Sequence, residues 1–281
     1  MRHYKSVIFF LAAVLGFGFF STAQADKLME RVEEGKPIRI GYANEVPWAY
    51  PGENNEPLGF VNVITLDILE RMGYTEIEQV VTDWGGLIPG LKANRYDIIT
   101  GGMYILKNRC ENIAFSEPIG VFGDAFIVPK GNPMGIETYK DVIAKGAVMV
   151  TASGYNTVDH ARKQGVPERQ IMQVPGPTEI LAAVTAGRAD CGILTYFTAQ
   201  TLKSKAGGAI DVTDPRALPD WTFNWVGIGF RHSDTEFLKK FNEVLEDYLG
   251  SEAMLESVKP YRYTESQLPG DVETDWICKN R

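Results

Sequence analysis

GLKANRYDIITGGMY at residues 90–104 and AVTAGRADCGILTYF at residues 183–197 carry one pattern twice. Each holds a helix end, the motif A-x-R-x-D (Ala93 to Asp97, Ala186 to Asp190), an apolar strand, and an aromatic near the strand's end. Strand and helix patterns alternate from Ile38 onward, the sequence form of an α/β protein, and the doubled unit predicts two lobes of like architecture. Around the first copy lie a strand at IRIGY, the helix FVNVITLDILERMGY with Val61, Ile64, Ile68 and Met72 at helical spacing, and a strand at IEQVVT. Around the second lie AVMVTA, NTVDHARKQG, QIMQV, PTEILAAVTAGR and AIDV. DAFIVP and WVGIGF suit strands that cross between lobes, with hinges expected near Phe126–Val128 and Val226–Gly229. SDTEFLKKFNEVLEDYLG predicts a helix opened by a capping box, Ser233 with Glu236, whose Phe237, Phe241, Val244, Leu245, Tyr248 stripe packs a core.

The chain of 281 residues is long enough for two cores rather than one. It opens with the parts of a secretory signal: Arg2 and Lys5, an apolar run from Val7 to Phe20, and Ala23-Gln24-Ala25 as a small-residue cleavage site. Residues 1–25 are thus expected to be removed and the protein to be periplasmic. The formal charge of −8, with no basic cluster, argues against nucleic acid as a partner. Cys110, Cys191 and Cys278 form no CxxC pair and have no zinc-ligand spacing, so no metal or cofactor is expected; an exported protein can hold one disulfide and one free thiol.

In two-lobed α/β proteins a ligand sits where strands end at their carboxyl side. Those ends here are acidic and aromatic. Glu45 and Trp48 follow the first strand, Trp84 follows VVT, Tyr104 and then Arg109 follow YDIITGGM, and Thr195 closes ADCGIL. Gly154, Tyr155 and Asn156 form a turn into a helix whose N–H groups can face an anion. An arginine fork grips a carboxylate in two places, while a carboxylate and aromatic faces attract a delocalised cation. The implied ligand is a small zwitterion. Catalytic motifs are absent: there is no GxSxG, HExxH, Walker A or GxGxxG, and His160 and His232 sit among polar neighbours.

The segment GGMYILKNRCENIAFSEPI resembles the signature of type II periplasmic solute-binding proteins of polar amino-acid ABC importers, in which an Arg before FSxP binds the ligand carboxylate. The likeness extends from IRIGYANEVPWAY through WGGLIPGLKANRYDII and GDAFIVPKGNP to GRADCGILTY. It implies a two-lobed type II fold and Arg109 as the carboxylate-binding residue. Amino-acid binders of that family usually have Ser or Thr at Tyr104 and an acid at Thr195. The present pattern is instead similar to the ectoine and 5-hydroxyectoine subgroup, which implies Glu45 on a cyclic amidinium, enclosed by Trp48, Trp84 and Tyr104. Asn62, in GFVN where GFDxD is commoner, is expected outside the pocket.

The resemblance further implies a monomer that delivers its zwitterion to permease subunits in the inner membrane. Lobe 1 is expected at residues 26–127 and 228–281, and lobe 2 at 128–227. A bridge between lobes would obstruct closure, and chains of the ectoine subgroup often end near a Cys; Cys110 with Cys278 is therefore the expected disulfide, leaving Cys191 free on a buried strand. The alternatives are a polar amino-acid or betaine binder, or a cyclohexadienyl dehydratase-like lyase on the same fold with Glu45 as base.

Overall fold

The doubled A-x-R-x-D pattern has the same physical cause in both halves of the computed structural model, which describes residues 26–281; the signal read at residues 1–25 lies outside the described residues. Helix Leu87–Lys92 stops at Asn94 (φ +57°) and helix Pro177–Thr185 at Gly187 (φ +66°), left-handed positions that suit Asn and Gly. The next N–H turns back into the helix, Arg95 to the Gly90 carbonyl and Arg188 to that of Ala183, both at 2.9 Å. The aspartate two residues on then clamps the start of the neighbouring strand. Asp97 Oδ2 accepts from Arg39 N at 3.1 Å, and Asp190 Oδ2 from Val148 N at 2.7 Å.

Each repeat feeds its own sheet. The first runs Ile77–Val81, Ile38–Tyr42, Ile98–Tyr104, Asn224–Phe230, Ala114–Phe115, with Gly120–Phe122 also on Asn224–Phe230. The second runs Ile171–Val174, Met149–Ala152, Cys191–Thr195, Asp124–Pro129, Ile210–Val212. In both, three parallel strands are followed by an antiparallel one. Helices cover the sheets, which explains the wholly buried strand Ile98–Tyr104. Ile64 and Ile68 of helix Phe60–Arg71 share a core with Ile38, Ile40, Phe237, Phe241, Leu245 and Tyr248, with Val244 half-buried against it. Val150, Ile180, Leu194 and Ala199 belong to a core of the second sheet.

Two expectations need correction. Asp124–Pro129 pairs only within the second sheet and Asn224–Phe230 only within the first, so hinges at Phe126–Val128 and Val226–Gly229, and boundaries at 127/128 and 227/228, would cut through ladders. The chain changes sheets at Gly123 and returns between Val212 and Asn224. A Cβ on Gly123 would stand 2.7 Å from Phe223 Cε1, so the two crossings touch. The capping box at Ser233 also does not form: Ser233 Oγ turns to Asp234 Oδ1 at 3.3 Å. Helix Thr235–Tyr248 is capped instead by Asp26, whose Oδ2 accepts from Glu236 N at 2.9 Å and Phe237 N at 3.0 Å. Its Oδ1 caps helix Lys27–Glu33 through Met29 N at 2.9 Å.

Cys110 and Cys278 are joined in a disulfide that ties the turn Lys107–Cys110 to the last helix, Thr274–Asn280. Cys191 is a buried free thiol, and burial raises its pKa. Among the described residues no helix is long and apolar enough to cross a membrane.

Candidate functional site

Strand ends of both sheets meet in one crevice. Glu45 and Trp48 lie in the loop after Ile38–Tyr42, Trp84 in the turn after Ile77–Val81, and Tyr104 at the end of Ile98–Tyr104. From the second sheet come Tyr155 and Asn156, after Met149–Ala152, and Thr195, the last residue of its strand. These seven line one cavity with Gly101 and Gly102. Its volume is about 10 Å³, room for about one water. Arg109 and Gly154 stand beside it, in a cleft of about 340 Å³ that shares Trp84 and Tyr155. Asn62 lies outside, buried, with its Nδ2 donating to the Leu58 carbonyl at 2.9 Å.

Hydrogen bonds across the crevice hold the lobes closed. Glu45, 4% exposed, accepts from the Tyr155 hydroxyl on Oε2 and from Thr198 Oγ1 on Oε1 at 2.5 Å. Trp48 Nε1 donates to Thr198 Oγ1 at 2.9 Å, and Trp84 Nε1 to the Gly154 carbonyl at 3.1 Å. Arg109, 8% exposed, donates from Nη1 to the Tyr104 carbonyl at 3.0 Å and from Nη2 to the Gly154 carbonyl at 3.2 Å. Its guanidinium stands 5.8 Å from the centroid of the Trp84 ring. The Trp48 ring packs on Phe60, Phe122 and Phe197, so it is at once cavity wall and core.

The burial of these charges sets their titration. Loss of solvent raises Glu45 above the ordinary 4.5, with Thr198 and Tyr155 opposing and the Asp124 carboxylate adding to the rise. Burial brings Arg109 down to about 10. Tyr104 is raised well above 10 by burial and then by Asp124 and Glu45, and Tyr155 by burial and then by Glu45. Both phenols therefore stay neutral donors. The arrangement offers a guanidinium beside Trp84 in the adjoining cleft and a carboxylate among the aromatic rings that line the cavity.

Several participants escaped sequence reasoning. Thr198 joins Glu45, Trp48 and Thr195; the T-x-x-T spacing of Thr195 and Thr198, a helix N-cap signature, could have drawn attention to it. Gly102 (φ +74°) is required because a Cβ there would lie 2.4 Å from Trp48 Cε3. His160 is buried: its ring lies edge-on to Trp221, centroids 4.7 Å apart, and its Nδ1 is 3.4 Å from Asp124 Oδ2. Among the described residues no group of three or more His, Cys, Asp or Glu could hold a metal ion.

A family model described as bacterial extracellular solute-binding proteins, family 3, matches residues 38–262. The probable amino-acid ABC transporter periplasmic-binding protein y4tE of Sinorhizobium fredii is 30% identical over 277 residues, covering 96% of this chain and 92% of that protein. Among solved structures, EhuB in complex with hydroxyectoine superposes with a TM-score of 0.82 at 27% identity, covering 92% of this chain and all of that one. The ancestral amino-acid-binding protein AncCDT-1, a precursor of cyclohexadienyl dehydratase, gives a TM-score of 0.71 at 25% identity, covering 84% and 99%.

Proposed function

The chain belongs to family 3 of the bacterial extracellular solute-binding proteins, and on that premise we propose that it captures a small zwitterion, ectoine or 5-hydroxyectoine, between its two lobes in the periplasm. It is the substrate-binding protein of an ABC importer of the amino-acid type, and such proteins hand small ligands to membrane permease subunits. The observation that carries the ligand assignment is a buried guanidinium, Arg109, in the cleft that shares Trp84 and Tyr155 with a cavity lined by a buried carboxylate, Glu45, and the rings of Trp48, Trp84 and Tyr104. Arg109 takes the ligand carboxylate; Glu45 and the ring faces take a planar cation. Thr195 and Tyr155 supply hydroxyls to the wall. The hydroxyectoine complex of EhuB, at 27% identity, supports the same reading.

A second reading, a polar amino acid as ligand, draws on the relative in Sinorhizobium fredii. A thermal-shift panel of ectoine, 5-hydroxyectoine, glycine betaine and the polar L-amino acids tests both. Stabilisation by the two ectoines above all others is the expected result, and selective stabilisation by an L-amino acid overturns it. Turnover of a carboxylated ring substrate would point instead to a lyase.

A further inference from the structure

We propose that Asp124 is a second carboxylate of the binding site, accepting one N–H of the ligand's cation from the second lobe while Glu45 accepts another from the first. The inference rests on the zwitterion reading above and makes it sharper: the ligand's cation must carry at least two N–H groups, as a cyclic amidinium or a guanidinium does.

Asp124 opens strand Asp124–Pro129 and is fully buried. It stands directly opposite Thr195 in the antiparallel ladder, so the two side chains leave the sheet on one face. Thr195 lines the cavity. Asp124 Oδ2 accepts from Asn156 Nδ2 at 3.0 Å, and Asn156 also lines the cavity. His160 Nδ1 lies 3.4 Å from that same oxygen. The other oxygen, Oδ1, is buried and no donor meets it in good geometry; the Tyr104 hydroxyl, within reach of this carboxylate, is turned to the Phe122 carbonyl at a long 3.3 Å, so the oxygen's nearest donor is itself a residue of the cavity wall. A buried carboxylate oxygen without a donor is costly, and such cost is retained where a partner arrives.

Charge balance points the same way. Glu45 lines the crevice and Asp124 lies directly behind its lining residues Asn156 and Thr195, with one guanidinium, Arg109, beside them, and the Asp124 charge is felt at Glu45, Tyr104, Tyr155 and Arg109 alike. Once Arg109 is engaged by the ligand carboxylate, two carboxylates remain for one cation. A planar cation with divergent N–H groups can answer both. A quaternary ammonium has no N–H and answers neither through a hydrogen bond.

The test is calorimetric titration of the parent, Asp124→Asn and Asp124→Ser with ectoine, L-arginine and glycine betaine, together with ligand-free melting of each protein. The parent is expected to bind ectoine and not glycine betaine. Both variants are expected to weaken ectoine binding by roughly tenfold or more, the effect of losing a hydrogen bond to a charged group. The ligand-free Tm of Asp124→Asn, whose amide oxygen can still accept from Asn156, should equal or exceed the parent's, since a buried charge has been removed while that bond is kept; Asp124→Ser leaves Asn156 without its acceptor and should melt somewhat lower. Parental affinity in Asp124→Asn overturns the proposal alone. A fall in ligand-free Tm that accompanies the lost affinity in both variants assigns Asp124 a structural role and also overturns it. Equal binding of glycine betaine removes the need for N–H groups. A parent that binds none of the three probes overturns the zwitterion reading and this inference together, and one that takes L-arginine alone overturns the ectoine assignment while Asp124→Asn still decides this residue.

Discussion

Replacing Thr198 by Val keeps the shape of the side chain and removes one buried hydroxyl. That hydroxyl donates to Glu45 Oε1 at 2.5 Å and accepts from Trp48 Nε1 at 2.9 Å, with Thr195 Oγ1 a further 2.9 Å away. A hydrogen bond to a charged acceptor contributes about 1.5–3 kcal/mol, and a buried donor left unpaired costs about 1–3 kcal/mol. Glu45 and Trp48 belong to the first lobe and Thr198 to the second, so both losses fall on closure; in an open crevice water serves all three groups. With partial rescue by water, ligand affinity should drop by about 2–4 kcal/mol, a Kd weaker by about 30- to 1,000-fold. Titration calorimetry on Thr198→Val reads the affinity, and ligand-free melting should leave Tm near the parent's. Thr198→Ser, which keeps the hydroxyl, should bind almost as the parent does. Parental affinity in a folded Thr198→Val would refute the reasoning, as would a large loss of ligand-free Tm, which would assign the hydroxyl to folding rather than closure.

Arg109→Ala should lose about 2–5 kcal/mol of ligand affinity, the cost of removing one partner of a buried charge pair, and near-normal binding by calorimetry would remove Arg109 from the site. Because burial holds Glu45 above 4.5 in the closed, ligand-free crevice and a ligand cation draws it back down, binding to that closed form should release a proton between pH 4.5 and that raised value. Affinity should therefore rise with pH through the window and fade below it. Ligand-free stability runs the other way, since the folded state keeps this proton to higher pH than the unfolded chain; titrations in buffers of different ionisation enthalpy should show the released proton, and its absence would contradict an ionised Glu45 in the complex. The Cys110–Cys278 bridge spans 168 residues, for which chain entropy sets a ceiling of about 5 kcal/mol. Cys110→Ser with Cys278→Ser should lower Tm clearly, and an unchanged Tm would show the bridge to be energetically idle. Gly123→Ala would drive a Cβ to within 2.7 Å of the Phe223 ring at the touching crossings; solution scattering should show a change in the ligand-dependent contraction of the parent, and identical profiles for both proteins would exclude these crossings as the hinge.

The doubled A-x-R-x-D unit was readable because its work is local: a left-handed helix stop at Asn94 or Gly187 and an aspartate clamp a few residues on. Arg109, Glu45 and the rings after strands could likewise be listed from position alone. What could not be read depends on contacts remote in sequence. Asp26 caps a helix 210 residues away, so no local window at Ser233 reveals it. The hinges were misplaced because an apolar strand looks the same whether it crosses between sheets or starts just after the crossing. Asp124 and His160 look like ordinary polar residues until the ladder sets Asp124 opposite Thr195 and buries both partners.

Isothermal titration of the protein with 5-hydroxyectoine, with Arg109→Ala as its partner experiment, bears most directly on the capture of a cyclic zwitterion. Saturable binding at one site, lost or strongly weakened in the variant, is the expected result. Absence of binding by either ectoine, together with saturable binding of an ordinary L-amino acid, would contradict it.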